Sequence, residues 1–97
     1  MKNYQPTHYP RIIEEYQASI LDGELILYSA KSEKVFYLNE TSKLVWDLCT
    51  GNMTVEKIIG LLADAYPDAS EKISNDVRNV LDNLYEGGAI LFSDSPA

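Results

Sequence analysis

Ser19-Ile20-Leu21-Asp22-Gly23-Glu24-Leu25-Ile26-Leu27-Tyr28 is the stretch from which the fold can be read. Two short apolar runs flank Asp22-Gly23, a dipeptide that accepts positive φ, so the pattern predicts a β-hairpin closed by a two-residue turn. A polar loop over 29–34 then leads to Val35-Phe36-Tyr37-Leu38, a β-branched and aromatic run of the length of a third antiparallel strand.

After Leu38 the apolar period changes from two to about 3.6. Asn39 or Thr41 can cap a first helix bearing Leu44, Val45 and Leu48, with Gly51 as its stop. Thr54 can cap a second with Val55, Ile58, Ile59, Leu62 and Tyr66 on one stripe and Pro67 beyond its end. A third helix starts near Ser70, carries Ile73, Val77, Val80, Leu81, Leu84 and Tyr85, and ends at Gly87-Gly88. The last apolar run, Ala89-Ile90-Leu91-Phe92, fits either a short strand or an extended strap. The fold class expected is α+β and winged-helix-like, a three-stranded antiparallel N-terminal sheet packed on three helices.

With 97 residues the chain is one domain's worth. Residues 1–10, with Pro6 and Pro10 and no periodicity, are expected as a loosely held arm, 11–92 as the single domain and 93–97 as a tail. No apolar run approaches the roughly 20 residues of a membrane span and residues 1–10 lack a signal core, so a cytoplasmic protein is expected.

Eight Lys and Arg against 15 Asp and Glu give a net charge of -7, a surface that repels phosphate backbones unless its few cations cluster. One cysteine, Cys49, and one histidine, His8, allow neither an internal disulfide nor a Cys/His metal site. The carboxylates Glu14, Glu15, Asp64, Asp68, Glu71, Asp76, Asp82 and Glu86 lie opposite the apolar stripes or in loops and read as solvated, not as an acid–base pair. Cys49, near the end of the first helix, reads as a structural thiol. Gly87-Gly88 follow a helix, whereas phosphate-cradling glycines precede one. Trp46 and the seven tyrosines have no interleaved basic residues and read as core and rim. No enzyme, cofactor or metal is expected.

A sheet of three strands has two edges, and an exposed edge invites another extended segment. Val35-Phe36-Tyr37-Leu38 has neither proline nor charge, and Lys34 at its start is its only guard. From the pattern alone this strand is either an open edge or one that is central or covered by the C-terminal strap.

The order of Tyr37-Leu38-Asn39-Glu40-Thr41, Val45-Trp46-Asp47-Leu48, Gly51, Thr54-Val55, Ile58-Ile59, Leu62, Tyr66, Ile73, Asp76-Val77, Leu81, Leu84 and Gly87-Gly88 resembles the PqqD-like family. These are the small peptide chaperones of pyrroloquinoline quinone biosynthesis, with the related recognition elements of ribosomally made, modified peptides. The likeness spans roughly residues 12 to 92. It implies a protein that holds a precursor's leader peptide as an added antiparallel strand on the third strand, against the third helix, and presents it to a modifying enzyme such as a radical SAM protein. Carried onto this chain, the resemblance implies walls of Val35, Phe36 and Tyr37 from the strand and Asp76, Val77, Val80, Leu81 and Leu84 from the helix. It leaves open which of them face the peptide, and which pathway is served.

Two rival readings stand beside it. A hairpin with three helices can also be a DNA-binding winged helix, but Glu71, Asp76, Asp82 and Glu86 outnumber Lys72 and Arg78 on the helix that would enter the groove. A protein–protein adaptor without peptide recognition is the other.

Overall fold

The computed structural model describes residues 4–97. The element order is β1 (Tyr9–Ile12), β2 (Gln17–Leu21), β3 (Glu24–Ser29), β4 (Lys34–Leu38), α1 (Glu40–Leu48), α2 (Val55–Ala65), a 3-10 turn (Pro67–Ala69), α3 (Ser70–Glu86) and β5 (Ile90–Ser93). This is the expected α+β class, with the predicted third strand as β4.

Asp22 and Gly23 both adopt positive φ, 52° and 82°, so the turn matches the right-handed twist of the strands it joins. It fixes the register: Leu21 pairs with Glu24, Ile20 with Leu25, and so on to Gln17 with Tyr28. On the other side Leu25 pairs with Leu38, Leu27 with Phe36 and Ser29 with Lys34, which gives the strand order β2-β3-β4. Opposed residues share a face. The inner face therefore carries Ala18, Ile20, Leu25, Leu27, Ser29, Lys34, Phe36 and Leu38, and the outer face Leu21, Ile26, Tyr28, Val35 and Tyr37.

The inner face closes on the helices through Leu25, Leu27 and Leu38, which join Val45, Trp46, Ile58, Leu62, Ile73, Val77, Leu81 and Leu84 in one buried cluster. Among the described residues Ser29 is the one buried polar side chain, and its hydroxyl is satisfied: it donates to Glu15 Oε2 at 2.7 Å and accepts from the Ser32 amide at 3.2 Å. Asn39 and not Thr41 caps α1, its Oδ1 accepting from the Ser42 amide at 2.9 Å, and Thr54 caps α2 in the same way toward Lys57. Gly51 lies two residues beyond the C-cap of α1 at Cys49; its φ of 87° belongs to the turn that follows the helix.

A second sheet was not foreseen. β1 pairs antiparallel with β5, Tyr9 with Ser93 through Ile12 with Ile90, so the last apolar run is a strand. Residues 4–10, expected as a loose arm, are bound to the body, and Met1–Asn3 lie outside the described residues. The carbonyls of Pro6 and His8 accept the Glu56 and Val55 amides at 3.0 Å, and Pro10 O accepts the Gly51 amide at 3.0 Å. Two of these are first-turn donors of α2, which have no partner within their own helix. The Tyr4 ring stacks on Phe92 at 4.1 Å, and its hydroxyl donates to Asp82 Oδ1 at 3.0 Å. At the other end, the Ala97 amide donates to Gly51 O at 2.9 Å.

Leu27 sits at the centre of the middle strand with no exposed surface. Leu27→Ala is expected to lower unfolding stability by about 2–5 kcal/mol, read from urea denaturation with an unchanged m-value.

Burial pushes the Tyr4 phenol from 10.0 up to about 12, aided by its hydrogen bond to Asp82 and by that carboxylate's charge. The folded state holds this proton more tightly than the unfolded chain does, so the associated stability is present below pH 10 and lost as pH rises toward about 12. Tyr4→Phe keeps the stack on Phe92 and abolishes the titration. The stability gap between wild type and this variant is expected to be widest below pH 10 and to close toward pH 12, as measured by denaturation across that range.

Candidate functional site

The turn geometry decides which backbone groups of the sheet are free. A two-residue turn closes on a hydrogen-bonded pair, here Leu21 and Glu24, and bonded and non-bonded pairs then alternate along the ladder. Leu21, Ser19 and Gln17 thus turn their N–H and C=O toward β3, and Glu24, Ile26 and Tyr28 turn theirs toward β2. Leu25, Leu27 and Ser29 point the other way, to Leu38, Phe36 and Lys34. The groups of Val35 and Tyr37 consequently face outward from β4. Among the described residues no backbone bond reaches them, and β5, the alternative cover for this edge, is paired with β1.

Behind this edge lies α3. The Phe36 ring, half-buried on the inner face, rests over Gly87 just past the helix end: a Cβ built on Gly87 would lie 2.0 Å from Phe36 Cζ. Gly87 has an ordinary φ of -80°, so its need for glycine is one of space and not of backbone freedom. Tyr16 holds the same corner, its ring 5.7 Å from that of Phe36 and its hydroxyl donating to Gly87 O at 3.0 Å. Past the other end of β4 lies a groove between the start of α1 and α3, an open cavity of about 350 Å³ lined by Asn39, Thr41, Ser42, Lys72, Asp76, Asn79 and Val80. Phe36 near Gly87 and Asn39 near Asp76 mean that β4 and α3 run in opposite directions, with this groove at the Leu38 end of the strand.

The residues named from sequence divide into three groups. Val35 and Tyr37 are exposed on the outer face beside Ile26 and Tyr28, and Tyr37 at 71% is the most exposed of the large apolar side chains among the described residues. Phe36, Asp76 and Val80 are partly buried; Asp76 and Val80 line the groove, whereas Phe36 packs at the opposite end on Gly87. Val77, Leu81 and Leu84 are at most 1% exposed and hold α3 on the core, so their side chains do not reach the groove. The polar lining by Lys72 and Asn79 went unread. A signal was present, since the polar Lys72, Asp76, Asn79 and Asn83 recur at spacings of four, three and four, a helical stripe running alongside the buried 73, 77, 81 and 84.

Cys49 contributes no reactive thiol. It is wholly buried, its Sγ donates to Val45 O at 3.2 Å, and burial pushes it up to about 12, leaving no thiolate at neutral pH.

The family model described as coenzyme PQQ synthesis protein D (PqqD) matches residues 24–90. The chain belongs to the PqqD family. PqqD proteins are non-catalytic, chaperone-like accessory proteins of coenzyme PQQ synthesis. The match begins at the first residue of β3 and ends at the first residue of β5, so it contains β4, α3 and the groove. Neither the curated proteins nor the solved structures give a match. Among the described residues no helix is long and apolar enough to cross a membrane.

Gly87→Ala is expected to displace the Phe36 ring and destabilise the domain by about 1–3 kcal/mol. Adding Phe36→Leu should recover part of that loss, since the shorter side chain vacates the space the new methyl needs. Thermal unfolding of the single and double variants measures the coupling.

Proposed function

We propose that this PqqD-family chain captures the leader segment of a precursor peptide as a fourth strand on β4 and hands it to a modifying enzyme. One observation carries this reading: among the described residues the outward N–H and C=O groups of Val35 and Tyr37 meet no backbone partner, on an edge whose Phe36 packs on the end of α3. Strand addition draws affinity from such main-chain groups and selectivity from alternate side-chain contacts, and it needs no catalytic residue.

An incoming strand alternates between the two faces of the sheet it joins. Its inward side chains meet Phe36, Val80 and Asp76, and its outward ones lie along Val35 and Tyr37. Added antiparallel to β4, it runs parallel to α3, entering between Asn39 and Lys72 and leaving past Lys34. The part of the precursor to be modified then emerges at the Gly87 end, which is where the enzyme must approach. A free leader of this kind orders on binding, and the entropy lost keeps affinity modest and release easy.

DNA binding fits less well, because α3 carries Glu71, Asp76, Asp82 and Glu86 against Lys72 and Arg78.

The free groups give a sharp test. The Tyr37 amide points away from β3, so Tyr37→Pro deletes a donor from the edge and spares the internal ladder; Phe36→Pro deletes one that bonds Leu27. Titration with synthetic leaders from short precursor genes neighbouring this one should show a loss of about tenfold or more for Tyr37→Pro with a folded spectrum, and unfolding for Phe36→Pro. Unchanged leader affinity in a folded Tyr37→Pro protein would overturn the assignment of the edge.

A further inference from the structure

The other edge of the same sheet is just as open. All five residues of β2 are exposed, and Ile20 and Leu21 each keep 60% of their surface. Gln17-Ala18-Ser19-Ile20-Leu21 has no charge and no proline, in a chain whose net charge is -7. Edge strands are ordinarily guarded by charges, prolines or bulges, and this one has none of them. The ladder leaves the N–H and C=O groups of Ala18 and Ile20 facing outward, and among the described residues they meet no backbone partner.

We propose that β2 pairs antiparallel with β2 of a second copy of this chain, about a two-fold axis through Ser19. The register is self-complementary. Ser19 faces Ser19 of the partner as a non-bonded pair, and Ala18 faces the partner's Ile20 on either side. Those are the residues whose backbone groups point outward, so the two copies exchange four hydrogen bonds and leave none of these groups unpaired. The side chains match as well, because each bulky Ile20 meets a small Ala18 on the inner face while Gln17 meets Leu21 on the outer one. Asp22 falls opposite Tyr16 of the partner and not opposite another carboxylate, so the pairing brings no like charges face to face.

The same features choose a second copy over a foreign peptide. β4 has α3 as a second wall; β2 has no helix beside it, since Ala18 and Ile20 are exposed on the inner face. A lone peptide there would gain a ladder without a pocket, whereas a second copy brings its own Ile20 and a three-stranded sheet. A pairing of five residues covers less than the roughly 800 Å² per partner of a stable interface, so the dimer is weak and forms with rising concentration. It is a six-stranded sheet with a β4 edge free at each end.

Sedimentation equilibrium of the full chain over a concentration series tests this, together with amide shifts on dilution. The wild type is expected to approach dimer mass with rising concentration, with dilution shifts centred on 17–21. Ala18→Pro removes an outward donor without touching the β3 ladder, and Ile20→Lys brings charge to an uncharged edge. Each should raise the dissociation constant about tenfold or more and still bind leader, while Tyr37→Pro should dimerise normally. A wild type that stays monomeric up to about millimolar concentration, or variants that dimerise as well as it does, would overturn the proposal. Because leader binding is read on the same samples, loss of the dimer alone leaves capture at β4 standing.

Discussion

The two-residue turn at Asp22-Gly23 is the constraint on which the rest of the molecule depends. By closing on the pair Leu21 and Glu24 it sets which residues of β2, β3 and β4 face the helices and which backbone groups point away from the sheet. A slip of one residue would turn Leu25 and Leu27 to solvent and Ile26 and Tyr28 to the core. The same slip would direct the free groups of β4 from Val35 and Tyr37 to Phe36, whose side chain packs on Gly87. Core packing and the chemistry of the edge are therefore one decision, made at one turn.

The helices use this sheet for a purpose beyond burial. α3 anchors itself through Ile73, Val77, Leu81 and Leu84 and so leaves the neighbouring Lys72, Asp76, Asn79 and Val80 to line the groove against the start of α1. At the other end of the helix Phe36 packs close because Gly87 has no side chain to hold it off. The result is an exposed backbone ladder on β4, a closed corner at Gly87 and a groove of mixed polar and apolar side chains past the far end of the strand. The chain belongs to a family of non-catalytic accessory proteins of coenzyme PQQ synthesis, and strand addition of the kind proposed needs no reactive group.

The second sheet shows how tertiary bonds override local pattern. Pro6 and Pro10 disrupt any regular period in residues 4–10, yet proline retains its carbonyl, and both carbonyls accept amides that their own neighbourhood leaves unpaired. Tyr4 adds a ring stacked on Phe92 and a bond to Asp82. None of these partners lies near in sequence, so no window of local composition could show them. The strand nature of Ile90–Ser93 was ambiguous for the same reason, because a four-residue apolar run becomes a strand only when a partner such as Tyr9–Ile12 is present.

What the sequence determined by itself was everything that local chemistry dictates: the hairpin from Asp22-Gly23, the third strand from Val35-Phe36-Tyr37-Leu38, the caps at Asn39 and Thr54, three helices with their buried stripes, and the family likeness carried by their order. Strand period, positive-φ turns and capping bonds act within a few residues, so they leave their mark in short stretches. Only the tertiary structure decided that β4 is an edge, that Val77, Leu81 and Leu84 belong to the core while Asp76 and Val80 border the groove, and that Gly87 serves the Phe36 ring. Those outcomes depend on which distant element occupies the space beside a strand or a helix face, and that is a property of the packed chain and not of any segment of it.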